Sequence, residues 1–110
     1  MKNASLWLRI DFADGRVGPG KIALLEAIQR EGSISAAARA LGMSYRRAWE
    51  LVAELNKIFT APVVERVTGG NGGGGARLTE LGEALLVGFR EIEAAASRAA
   101  AGHLRRLAKA

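Results

Sequence analysis

Two arginines at the expected start of a helix are the side chains of this chain best suited to binding a ligand. Arg46 and Arg47 follow Ser44, whose hydroxyl is a good N-cap because it can accept a hydrogen bond from a backbone N–H of the first turn. A cation in a first helical turn opposes the helix dipole, so helix stability does not explain the two arginines. Their placement suits a helix end that points at a negatively charged partner.

The residues around this helix start predict a helix-turn-helix. Residues 35–41 form a short alanine-rich helix, Gly42 follows as a left-handed turn residue, and a second helix covers roughly 45–59. In a helix-turn-helix the second helix lies in the major groove of DNA, where its N-terminal residues reach base edges. The candidate DNA-binding residues on this helix are Ser44, Tyr45, Arg46, Arg47 and Glu50.

A glycine-rich segment after the second helix predicts the wing of a winged helix. Residues 63–67 and 76–78 are expected to form two paired strands, with the glycines of 69–75 at the tip. Glycine lets backbone N–H groups approach phosphate oxygens without obstruction by a side chain. A flexible linker is the other interpretation of the glycines. The candidate DNA-binding residues of the wing are Arg66, Gly72, Gly73 and Arg77.

Apolar periodicity predicts the elements that position these candidates. Leu6, Leu8 and Ile10 occupy every second position, which favours a strand, and Asp14–Gly15 is a turn signal before a short return strand. A helix that ends at Gly32 follows. On the second helix of the helix-turn-helix, the side chains expected to be buried are Ala48, Leu51, Val52, Leu55 and Phe59.

A long helix after the N-cap Thr79 predicts a contact between two copies of the chain. Apolar or small residues recur there at three- and four-residue steps: Leu81, Leu85, Phe89, Ile92, Ala96, Ala99, His103 and Leu107. A stripe of small residues allows two helices to pack closely in a homodimer, and packing against its own domain is the alternative. The expected fold is mainly α with a small β component: a winged helix-turn-helix over 1–80, then a long C-terminal dimerisation helix and basic tail over 81–110.

Composition narrows the class of function. The 16 Lys and Arg outnumber the 11 Asp and Glu, and a net charge of +5 suits a polyanionic partner such as double-stranded DNA. There is no cysteine and a single histidine, so thiolate or histidine metal sites and the usual nucleophilic catalytic sets are not available. The sequence predicts a cytoplasmic protein that is not an enzyme and has no cofactor, metal site or membrane span.

Two segments resemble a known family. Residues 32–49, with Ser-Ile-Ser-Ala-Ala-Ala-Arg-Ala-Leu-Gly-Met-Ser-Tyr-Arg-Arg, and residues 64–79 together with Gly82 are similar to the N-terminal DNA-binding domain of ModE-type molybdate-responsive transcriptional regulators. The glycine-rich wing after Val-Glu-Arg is the specific part, because the helix-turn-helix alone fits LysR-type regulators almost as well. The resemblance implies a winged-helix homodimer that binds a palindromic operator near molybdenum uptake or molybdoenzyme genes.

The chain also departs from that family. Full-length members carry a C-terminal pair of small β-barrel domains that bind molybdate, whereas this sequence ends at Ala110. We therefore expect a short form without the effector site: a naturally short regulator, one that relies on a separate molybdate-sensing partner, or an excised piece of a longer chain. A LysR-like or generic winged-helix regulator unrelated to molybdate, and a protein-interaction module using the long helix, are the alternatives.

The short form has a direct test. Tight oxyanion sites are closed pockets of converging backbone N–H groups and hydroxyls. The comparable segment here, residues 69–75, is expected to be open and better suited to DNA phosphate. Calorimetric titration of the chain with molybdate and tungstate should therefore give no binding heat, and binding at micromolar or tighter affinity would contradict this prediction.

Overall fold

The computed structural model describes residues 3–68 and 74–110, so the candidates Gly72 and Gly73 lie outside the described residues. A β-hairpin comes first, then three helices, a second hairpin and a long final helix. The strands are β1 (Ile10–Phe12), β2 (Gly15–Val17), β3 (Val64–Val67) and β4 (Gly75–Leu78), and the helices are α1 (Pro19–Glu31), α2 (Ile34–Leu41), α3 (Tyr45–Ile58) and α4 (Glu80–Ala108).

The first hairpin is shorter than the sequence suggested. β1 and β2 are antiparallel, with Ile10 opposite Val17, and the turn expected at Asp14–Gly15 is confirmed. The expected strand across Leu6 and Leu8 is wrong, because residues 3–9 have no regular structure. β2 stops at Val17, and α1 begins two residues later, so no strand is available to pair with the chain before Ile10.

The helix-turn-helix forms as predicted, and local chemistry fixes its ends. The Ser33 hydroxyl accepts a hydrogen bond from the N–H of Ala36 at 3.0 Å, which starts α2. Gly42 ends α2 at φ 68°, a left-handed conformation that costs little only for glycine. The Ser44 hydroxyl accepts from the N–H of Arg47 at 3.0 Å and starts α3. These caps define both ends of α2 and the start of α3.

The core joins the three short helices, the second hairpin and the beginning of α4. Ile58 takes the buried position on α3 that was expected for Phe59. Phe59 lies beyond the last turn as the C-cap residue, and its ring packs edge-on against Phe12 at 5.0 Å between centroids. The fully buried large side chains are Val17, Ile22, Leu24, Leu25, Ile28, Leu55, Val63 and Phe89.

Three contacts hold β3 and β4 against this core. The N–H of Ala76 donates to the carbonyl of Gly32 at 2.9 Å, and the N–H of Thr79 donates to the carbonyl of Val63 at 3.0 Å. The Asn56 side chain on α3 accepts from the N–H groups of Val63 (2.8 Å) and Val64 (3.2 Å), and it donates to the Val64 carbonyl at 3.3 Å. The second hairpin is therefore joined to the end of α1 through β4, to α3 through the start of β3, and to the N-cap residue of α4.

The long helix α4 has a packed beginning and an extended remainder. Gly82, Leu86 and Phe89 are its buried residues, so its first three turns belong to the core. The 29 residues of α4 make it about 43 Å long, and most of that length lies beyond Phe89. Among the described residues, no helix combines the length and the apolar character that crossing a bilayer requires.

An ion pair joins α1 to α4 at the point where the long helix leaves the core. The Nε atom of Arg90 donates to Glu26 on α1 at 3.2 Å, and its Nη1 atom donates to Glu93 at 2.7 Å. The hydrogen bond from Arg90 lowers the pKa of Glu26, so the carboxylate stays charged well below neutral pH. The pair ties α1 to α4 at the last buried turn of the long helix.

Candidate nucleic-acid interface

The N-terminal turn of α3 presents two arginines to solvent. The Arg46 side chain is 90% exposed, and its Nε atom lies 3.3 Å from Glu50 one turn later. Arg47 reaches the other oxygen of the same carboxylate at 3.4 Å. Both contacts are exposed and long, so they cost little to break. The two guanidinium groups can therefore turn to phosphates or guanine edges, while Glu50 can accept from a cytosine amino group.

Behind these arginines, an aromatic pair joins α3 to β3. The indole N–H of Trp49 donates to the Tyr45 hydroxyl at 2.6 Å, a contact between residues one helical turn apart. The guanidinium carbon of Arg66, on β3, lies 4.8 Å from the centroid of the Trp49 ring, a cation–π distance. Trp49 also packs against the edge of the core, whereas Tyr45 is 51% exposed. The second hairpin and the start of α3 thus share one surface.

The other wing arginine is engaged within the hairpin. Arg77 and Glu65 are directly opposite in the β3–β4 ladder, and their Nε and Oε1 atoms lie 2.8 Å apart. Both side chains are exposed, so water screens this pair. Arg77 projects from β4 with a guanidinium group that has further N–H donors available to an anion.

A groove of about 220 Å³ lies between the tip-side half of the second hairpin and the starts of α2 and α3. Tyr45 and Arg66 line it together with Ser33, Ser35 and the chain at 74–76. The Ser35 hydroxyl accepts a hydrogen bond from Arg39 at 3.0 Å. The groove is open, and its walls combine hydroxyl and guanidinium groups with apolar atoms, so it suits a backbone segment of a larger ligand better than a small enclosed molecule.

The structure brings most of the predicted residues into two neighbouring groups. Arg46, Arg47 and Glu50 form one group, and Tyr45 lies with Arg66 in the other. Ser44 lies between them as the N-cap of α3. Gly72 and Gly73 lie outside the described residues, and Arg77 sits on the neighbouring strand against Glu65.

Three further residues, Trp49, Ser35 and Asn56, contribute to this surface or to the strand behind it and were not among the predicted site residues. Trp49 packs at the core edge, and it also links Tyr45 to Arg66. Its four-residue spacing from Tyr45 was the signal that predicts their contact. Ser35 and Asn56 carried no sequence signal, because their roles depend on segments that are distant in the chain.

Within the described parts of the chain, no three His, Cys, Asp or Glu side chains are grouped so that they could hold a metal ion. The exposed polar groups of this surface are instead cations, hydroxyls and the carboxylates of Glu50 and Glu65, on a helix start and a hairpin. Groups of these kinds can contact an extended anion at many separate points.

Residues 20–83, more than half of the chain, match the family described as bacterial regulatory helix-turn-helix protein, lysR family. The chain is 51% identical over 84 residues to the molybdenum-pterin-binding protein MopA of Rhodobacter capsulatus, which covers 76% of this chain and 32% of that protein. It is 47% identical over 75 residues to the DNA-binding transcriptional dual regulator ModE of Escherichia coli K12, covering 68% and 27% respectively.

The molybdenum transport protein ModE of Azotobacter vinelandii is 44% identical over 73 residues, covering 66% of this chain and 27% of that protein. The predicted resemblance to the ModE-type DNA-binding domain is thereby confirmed, as is the predicted winged helix-turn-helix fold. The chain spans about a third of the length of the curated relatives it matches.

Proposed function

Because this chain belongs to the bacterial regulatory helix-turn-helix proteins of the lysR family, we propose that it binds a specific duplex operator as a homodimer and regulates genes of molybdenum uptake or molybdoenzymes. The role in molybdenum metabolism rests on relatives that are named for ModE and for molybdenum-pterin binding. In this proposal the unit over 1–80 binds DNA, and residues 81–110 form the dimerisation helix and basic tail.

One observation carries the DNA-binding part of the proposal. Arg66 of β3 stacks on Trp49 of α3, so the wing and the exposed start of α3 face the same side of the molecule. With α3 in the major groove, Ser44 and Arg46 are at base edges, and Tyr45, Arg47 and Glu50 are their neighbours. Arg66 and Arg77 then face the adjacent DNA backbone, and Gly72 and Gly73 complete the proposed contacts.

The exposed part of α4 supports the homodimer. Beyond the core, the side chains of Ile92 and Leu107 are 48% and 69% exposed, which is unusual for large apolar residues on one helix. Residues 3–6 lie along a different side of α4, where they line a groove with Ala101 and Leu104. The side that contains Ile92, Ala99, His103 and Leu107, called the α4 seam below, is open to a second copy.

The proposal is tested by selection from a random duplex library. A two-fold symmetric dimer should enrich a palindrome whose half-sites lie about 10 bp apart, centre to centre, or a multiple of that spacing. Binding should weaken steeply as salt rises, because phosphate contacts release counterions. No enriched sequence, or an affinity that is flat in salt, would contradict DNA binding and favour the protein-interaction module, for which the groove between residues 3–6 and α4 is the candidate surface.

Replacing Arg46 by alanine should reduce operator affinity and relax the preference at one base pair. A bidentate arginine–guanine contact contributes roughly 1–3 kcal/mol of discrimination. Titration of the selected operator and of its single-base variants measures both effects. Lys57→Ala is a matched control, because Lys57 is an exposed cation near the other end of α3. An Arg46→Ala protein with unchanged base preference would contradict the assignment.

The selected operator also separates the two regulator classes. Its occurrence upstream of molybdate transport or molybdoenzyme genes is the outcome expected from the ModE-type relatives. An operator that lies only beside unrelated genes would favour a LysR-like or generic winged-helix regulator unrelated to molybdate.

A further inference from the structure

The surface between the wing and α3 contains several hydrogen-bond donors that line one groove. The indole N–H of Trp49 is a donor only, so the Tyr45 hydroxyl must accept in their 2.6 Å contact. A hydroxyl has one proton, and this contact leaves the proton of Tyr45 free to donate elsewhere. The same holds for Ser35, whose hydroxyl accepts from Arg39 at 3.0 Å. Both hydroxyls line the groove beside Arg66.

Arg66 adds a third donor while it holds the wing in place. A guanidinium over an aromatic ring uses its face for the ring and keeps the N–H groups at its edge for hydrogen bonds. Within the described residues, Arg66 forms no ion pair or side-chain hydrogen bond that would occupy these donors. Its stacking on Trp49 links β3 to α3 next to Tyr45.

We propose that Arg66, Trp49 and Tyr45 act as one unit that locks the wing onto α3 and presents the groove to a single DNA backbone phosphate. The groove offers the Tyr45 and Ser35 hydroxyl protons and the Arg66 edge, and a phosphodiester oxygen only accepts hydrogen bonds. Trp49 is a positioning residue, because it orients the Tyr45 hydroxyl and supports Arg66 without reaching the phosphate. This inference rests on the proposed DNA binding and names one contact within it.

Tyr45→Phe tests the hydroxyl without changing the ring. Loss of one hydrogen bond to a charged phosphate should weaken binding to the selected operator about 12- to 150-fold. Arg66→Gln should lower the slope of affinity against salt by about one charge. If both side chains bind one phosphate, the double variant should lose less affinity than the product of the two single losses. Arg77→Gln with Tyr45→Phe is the matched control, and those losses should multiply.

Neutral methylphosphonate substitutions along the operator locate the phosphate. A methylphosphonate at the contacted phosphate, one position per half-site, should lower the affinity of the wild-type protein. The same substitution should change the affinities of the Tyr45→Phe and Arg66→Gln proteins little, because each has already lost a contact to that phosphate. A merely structural role of the two residues would not produce this dependence on position. In the Trp49→Phe background, which removes the N–H donor, the effect of Tyr45→Phe should shrink.

The stacking itself has a spectroscopic test in DNA-free protein. The chain has two tryptophans, so Trp7→Phe leaves Trp49 as the sole source of indole emission. Arg66→Gln should alter that emission, and Arg77→Gln should leave it unchanged. The inference would be overturned if the affinity losses of the Tyr45 and Arg66 variants multiply in the double variant, or if Arg66→Gln leaves the Trp49 emission unchanged. Either result counts against it even if the wild-type chain binds a specific operator. Failure of the wild-type chain to select any operator would instead overturn the proposed function. Tyr45 and Arg66 are exposed, so their variants should fold and still test the inference if the Trp49→Phe protein does not fold.

Discussion

Replacing Gly82 by alanine is expected to lower the free energy of unfolding by about 3 kcal/mol or more, the upper range of overpacking costs. A Cβ atom at Gly82 would lie 2.1 Å from the carbonyl oxygen of Val63 and 3.0 Å from its carbonyl carbon. Val63 cannot move away easily, because its side chain is fully buried and its backbone is bonded to Asn56 and Thr79. The first turn of α4 would have to separate from the base of the wing.

Gly88→Ala is the matched control in the same helix. A Cβ at Gly88 has no neighbour within 4 Å, so alanine should raise the free energy of unfolding by roughly 0.5–1 kcal/mol through its better helix propensity. Urea unfolding followed by circular dichroism gives both values, and all variants must be compared at one protein concentration because a dimer's stability depends on it. Equal stability of Gly82→Ala and wild type would show that α4 does not pack on Val63 as described.

The sequence was sufficient for those features that depend on a few consecutive residues. The helix ends are set by Ser44, Thr79 and Gly42, and each acts through an atom within about one turn of itself. The positions of α2 and α3 therefore followed from side-chain chemistry that is local in the chain. For the first hairpin, the turn was predicted but the length of β1 was not. A strand is only as long as its partner, and β2 stops at Val17 because α1 begins at Pro19.

Features that join distant segments were not accessible from one sequence. The contact of Arg66 with Trp49 requires β3 to return across α3, and the Asn56 side chain makes that return possible by bonding the backbone on both sides of β3's start. Apolar spacing on α4 likewise gave one stripe, whereas the structure divides it. Phe89 is buried in the core, and Ile92 is open to solvent. The sequence does not show where along α4 the core ends, so it could not separate the buried part of the stripe from the exposed part.

Ala99→Glu is expected to dissociate the proposed dimer and to weaken operator binding by about 10²- to 10⁴-fold, the advantage that two linked half-site contacts provide. Ala99 lies in the α4 seam and is exposed in the single chain. In a symmetric pair of closely packed helices, the new carboxylate would face its own copy or an apolar surface, and either contact costs desolvation without a partner charge. Sedimentation equilibrium measures the mass, and anisotropy titration measures the affinity.

Ala94→Glu makes the same substitution on the same helix outside the seam. Ala94 is also exposed and lies about 140° around the helix from Ala99, so its carboxylate should stay in water and leave the dimer intact. The affinities for the full operator and for an isolated half-site provide an independent check. A monomeric Ala99→Glu protein should bind the two with equal affinity, apart from a factor of about two because the full operator offers two half-sites. The Ala94→Glu protein should retain the full difference. If the two variants behave alike, the proposed dimer contact does not lie in the α4 seam. That result would not bear on the proposed DNA contacts of α3 and the wing, which their own variants test.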